Sequence, residues 1–81
     1  MKQKEHKDWQ KTFGMKLREI RKSKGLTQQK LSYLADIELS TLNRIELGKA
    51  GTSLINIFSL CDALEIHPKL LFDFVLPERR K

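Results

Sequence analysis

Residues 26–49 read LTQQKLSYLADIELSTLNRIELGK, and their punctuation decides how the rest of the chain must be arranged. The Thr27 hydroxyl is suited to accept from a backbone amide one turn ahead, so it caps a helix that Gln28 opens. Leu31, Leu34 and Ala35 follow at helical spacing and form the inner face of that helix. Asp36 falls where the chain must turn. A second helix runs from residue 38 or 39 to residue 47, with Leu42 and Ile45 inward and Ile37 packing ahead of its first turn; Gly48 stops it. Only about three residues separate the two helices, so they must cross steeply rather than lie antiparallel.

The periodicity outside this segment is also helical. Upstream, Trp9, Phe13, Leu17 and Ile20 lie on one stripe of a helix over residues 9–23, with Lys11, Lys16, Arg18, Lys22 and Lys24 mostly off it and Gly25 ending it. Downstream, a loop over residues 49–52 leads to a helix capped by Thr52 or Ser53, whose inner face is Leu54, Ile57, Phe58, Cys61 and Leu64. Pro68 suits the first turn of a last helix, because the amide it lacks would be unpaired there anyway; that helix ends before Pro77. The expected fold is all-α, five short helices and no sheet. Residues 9–76 form the domain, residues 1–8 a polar basic tail without order, and residues 77–81 a second basic tail.

With 81 residues the chain has room for one small core and for no separate catalytic cavity. No apolar run approaches the ~20 residues of a membrane span, and the opening MKQKEHKDWQK lacks the apolar middle of a secretory signal. The lone Cys61 can make no internal disulfide and reads as a small buried hydrophobe, while His6 and His67 are too few and too scattered for a metal site. No nucleophile–base pair, metal cluster or phosphate loop is present, so an enzyme is not expected, nor a cofactor or small ligand. A reduced, cytoplasmic setting follows. The net charge of +6 is uneven: residues 1–30 hold ten basic and three acidic side chains, residues 31–76 three and six. Clustered Lys and Arg release counterions when they neutralise a nucleic-acid backbone, but a solvated helix face would have the same composition.

A steep helix pair with a short turn is the helix-turn-helix arrangement, whose second helix can enter a major groove while the first crosses the backbone. Two stretches, LREIRKSKGLTQQKLSYLADIELSTLNRIELGK over residues 17–49 and SLINIFSLCDALEIHP over residues 53–68, resemble the phage repressor and Cro (XRE-type) family of regulators. The resemblance covers residues 12–74 and implies a five-helix, lambda-repressor-like bundle. It implies phosphate contacts at Thr27 and Gln28, where a helix N-terminus offers spare donors to an anion. It also implies backbone contacts at Thr41 and Lys49, and base contacts from Leu39, Ser40, Asn43 and Arg44. Arg44 is the strongest reader, since its fork can bond guanine O6 and N7 together. Arg21 and Glu46 match a pair joined in relatives by a partly buried salt bridge. Two departures stand out. Asp36 replaces the usual turn glycine, and Leu39 stands where a polar reader is usual and can touch only a thymine methyl or a sugar.

The run LLFDFVL over residues 70–76 cannot all be covered by a small core, so Leu70, Phe72, Phe74, Val75 and Leu76 are expected to form a dimer surface. The expected function is a bacterial or phage-encoded, nucleoid-associated regulator, a repressor or autoregulator, that binds an inverted repeat in double-stranded DNA as a homodimer without cofactor. Two other readings compete with it: an antitoxin whose apolar C-terminal surface binds a toxin, and a bridging cofactor that uses the fold as a docking module.

Overall fold

A computed structural model describes residues 3–76, with side chains from residue 6 onward. Five helices follow one another: α1 (Gln3–Ser23), α2 (Gln28–Ala35), α3 (Leu39–Glu46), α4 (Leu54–Leu64) and α5 (Pro68–Leu71); no strand occurs among the described residues. The core takes at least one leucine from each helix: Leu17, Leu31, Leu42, Leu60, Leu64 and Leu71, joined by Ile45. All of these are less than 2 % exposed.

The two central helices sit where their punctuation places them. Thr27 caps α2, its hydroxyl accepting from the Lys30 amide at 3.0 Å. Asp36 leaves α2 in the left-handed region (φ 57°, ψ 47°), and the next amide, Ile37 N, donates back to Ser32 O at 3.0 Å. That is the reversal a Schellman turn makes, here with aspartate in the glycine position. Ser53 rather than Thr52 caps α4, its hydroxyl accepting from Asn56 N at 3.1 Å; the Thr52 hydroxyl is buried and finds no partner among the described residues.

Four expectations are corrected. α1 begins at Gln3, not near Trp9, so residues 3–8 are helical rather than a disordered tail; the Gln-, Lys- and Glu-rich opening is made of good helix formers with no breaker. Residues 1–2 and the basic tail at 77–81 lie outside the described residues. In α2, Leu34 is 46 % exposed, and Ser32 takes the inward place, its hydroxyl donating to Gln29 O at 2.8 Å. In α4 the buried stripe is Ile57, Leu60, Cys61 and Leu64, spaced by three, one and three; Phe58 falls on the uncovered flank beside Ile55, and Leu54, the first residue of the helix, is left exposed ahead of the stripe. Finally, α5 is one turn long. Phe72 leaves helical geometry, and residues 72–76 fold back so that the Phe72 ring meets Phe13 of α1 at 5.3 Å and Phe74 at 6.4 Å. A continued helix would point Phe72 and Phe74 to different sides, whereas an open chain lets both face α1.

Candidate nucleic-acid interface

α3 is held from behind by a contact that only glycine permits. A Cβ at Gly14 of α1 would collide with the Ile45 carbonyl oxygen and sit 2.6 Å from that of Glu46, so the last turn of α3 rests directly on the α1 backbone. One α1 turn earlier, Gly48 (φ 76°) packs against the Lys11 backbone, which places Lys11 beside the loop that carries Lys49.

The same end of α3 is clasped by a polar cluster. Arg21 of α1 donates from Nε to Glu46 Oε2 at 2.6 Å and from Nη2 to Oε1 at 3.0 Å, and its Nη1 donates to Leu26 O at 2.7 Å. One guanidinium thus joins α1, the segment leading into α2, and α3. The Glu46 side chain is 1 % exposed and that of Arg21 8 %, so each depends on the other for compensation of its buried charge. Gln28 of α2 adds a third donor to the carboxylate, Nε2 to Glu46 Oε1 at 2.9 Å, and Asn43 of α3 donates from Nδ2 to Gln28 Oε1 at 3.2 Å.

This clasp turns one face of α3 outward. Leu42, Ile45 and Glu46 are buried, while Leu39, Ser40, Asn43 and Arg44 are exposed together. Thr41 is half-buried at the edge, and Lys49 and Thr27 are exposed. The residues expected to read bases therefore share one surface, next to the open N-terminus of α2. Arg21 and Glu46, paired in the sequence reading, are paired here. Gln28, expected at a phosphate, has a half-buried side chain hydrogen-bonded to Glu46 and Asn43. The sequence reading missed this link, and also Gly14, although a glycine inside a helical pattern signals a close backbone approach.

No helix of the described residues is long and apolar enough to cross a membrane, and no group of side chains among them is arranged to hold a metal ion. Cys61 is buried on α4, and desolvation raises its thiol pKa above the usual value, which suits a packing residue.

Comparison with known proteins assigns the fold to a lineage. The model of a helix-turn-helix family matches residues 17–71. The control protein C.BamHI of Bacillus amyloliquefaciens is 41 % identical over 63 residues, covering 76 % of this chain and 78 % of the relative. The crystal structure of the restriction-modification controller protein C.AhdI from Aeromonas hydrophila superposes with a TM-score of 0.76 at 41 % identity, covering 78 % of this chain and 96 % of that one. The clp gene regulator ClgR from C. glutamicum does so with a TM-score of 0.72 at 26 % identity, over 76 % and 80 % of the two chains. Shared sequence over the helix pair and shared architecture throughout the bundle make this chain a member of the XRE-type helix-turn-helix family of transcriptional regulators, DNA-binding proteins rather than enzymes.

Proposed function

We propose that the chain is a homodimeric, sequence-specific repressor and autoregulator of the restriction–modification controller type, which sets α3 of each protomer into the major groove of one half of an inverted repeat. The observation that carries this reading is the outward face of α3, where Leu39, Ser40, Asn43 and Arg44 are exposed while the opposite face is clasped by Arg21 and Glu46. A recognition helix has to be both accessible and rigid. The α2 N-terminus beside it offers phosphate its free backbone amides, with Thr27 at the rim. Lys49, with Lys11 next to it, supplies charge to the opposite wall. Thr41 touches the backbone at the groove edge. Residues 36–49 carry three acids and two bases, so α3 adds little electrostatic affinity and α1 supplies most of it.

The dimer surface is built from exposed apolar side chains near the C-terminal half. Leu70, Phe72, Val75 and Leu76 are 42–90 % exposed, and Phe74 is half-buried. The α4 flank adds Leu54, Ile55 and Phe58 at 66, 75 and 56 %. A two-fold dimer through these residues would set its recognition helices ~34 Å apart, one turn of duplex. The named relatives are two controllers and a gene regulator, none of them an antitoxin, so neither a toxin partner nor a docking-module role is carried forward.

Selection of bound sites from a random duplex library at near-physiological salt tests the proposal. The expected result is an enriched inverted repeat, and Arg44→Ala should relax one position in each half-site at a cost of about 1–3 kcal/mol. A pool that stays random, with binding that disappears as salt rises, would reduce α3 to a scaffold.

A further inference from the structure

Arg21, Glu46, Gln28 and Asn43 form a chain of hydrogen bonds running from the core to the exposed face of α3, and each link has only one workable polarity. We propose that Gln28 is a positioning residue that fixes which end of the Asn43 amide faces outward, so that Asn43 offers its carbonyl oxygen to a base bearing an exocyclic amine. This rests on the reading of α3 as the groove helix.

The polarity starts at Glu46. Its carboxylate is paired with the Arg21 guanidinium through two hydrogen bonds, and an ionised carboxylate only accepts. Gln28, reaching Oε1 at 2.9 Å, must therefore point its NH2 group at Glu46. That leaves the Gln28 carbonyl oxygen facing α3, where it can only accept, so Asn43 must answer with its own NH2 at 3.2 Å. No donor among the described residues reaches Asn43 Oδ1, and the residue is exposed. Turning the Asn43 amide over would set two carbonyl oxygens against each other. Turning Gln28 as well would only move the clash inward, against the Glu46 carboxylate.

In the major groove adenine N6 and cytosine N4 are donors, whereas guanine offers two acceptors and thymine an acceptor and a methyl group. An outward oxygen thus favours adenine or cytosine on the strand Asn43 faces. Gln28 makes this choice without touching the base.

Three measurements test it. In site selection, Asn43→Ala should relax one position of each half-site. At that position, replacing adenine by purine, or cytosine by 2-pyrimidinone, removes only the amine; binding by the unaltered protein should fall about tenfold, and binding by the Asn43→Ala protein should not fall further. Which analogue matters identifies the base. Gln28→Met, which keeps the length of the side chain but not its amide, should lose most of this amine preference while the rest of the site stays as it was. In the DNA-free protein, the Asn43 side-chain NH2 should give a shifted, slowly exchanging NMR signal that Gln28→Met returns to the solvent-exposed range.

If the NMR signal behaves as expected but no site is enriched by any form, the relay exists and the groove reading fails, taking the proposal with it. Tolerance of amine removal at the Asn43 position, or an unchanged preference in Gln28→Met, would overturn the proposal while leaving the groove reading intact. A freely exchanging Asn43 NH2 in the unaltered protein would overturn it at the first link.

Discussion

At Gly14 a single added methyl group would sit 2.6 Å from the Glu46 carbonyl oxygen, a backbone atom that cannot swing away. Gly→Ala inside a helix ordinarily adds stability; here the overpacking should reverse the sign. Gly14→Ala is expected to lower stability by about 1–3 kcal/mol in thermal or denaturant unfolding, and a raised Tm would mean that α1 and α3 are not in such close contact. Glu65 is the opposite case. It holds φ 56° at the end of α4 with nothing but its own backbone to justify a left-handed glutamate. Glu65→Gly should relieve about 1 kcal/mol and raise Tm by a few degrees, and a neutral or negative shift would show the strain to be offset elsewhere. Asp36 and Glu65, both left-handed without being glycine, were unequally legible. Asp36 and its turn could be read from the sequence because two apolar patterns end on either side of it. Glu65 stands between Leu64 and Ile66, without turn chemistry to mark it.

Helices α2 and α3 were legible because their ends are written locally: a threonine cap, a turn residue and a stop glycine lie within reach of the residues they govern. The outer elements depend on what they pack against. An apolar helix such as α4 offers several stripes, and only the positions of α2 and α5, which pack against it, decide that Leu60 is buried and Phe58 is not. The run over residues 70–76 was read as helix from its composition, but its aromatic rings gain more by meeting Phe13 than by continuing α5. This can be measured. At concentrations low enough to keep the chain monomeric, Phe72→Ala should cost about 1–2 kcal/mol through the lost ring contacts, whereas Val75→Ala, at a residue 90 % exposed, should cost nearly nothing. Equal losses would mean that the segment does not dock on α1 in solution.

For the molecule as a whole, the helix pair is legible in the 24 letters of residues 26–49 and the family in residues 17–49 and 53–68, while the linkage that orients Asn43 is not. Gln28 and Glu46 are far apart in sequence and ordinary in type, and their meeting depends on the crossing angle of the helix pair. The assembly is open to a direct check. A charge at the centre of the α4 flank, Phe58→Glu, should leave the helical content of the monomer intact and shift sedimentation from dimer to monomer; a dimer that persists would confine the interface to residues 70–76. The pairing of Phe13 with Phe72 also bears on how the protein is made. α1 leaves the ribosome first, yet its aromatic side is covered by residues synthesised roughly 60 positions later. At translation rates of about 5–20 residues per second, Phe13 waits about 3–12 s for its partner. During that interval the nascent chain displays Trp9 and Phe13 to whatever is nearby, so α1 is the segment on which a chaperone would be expected to settle.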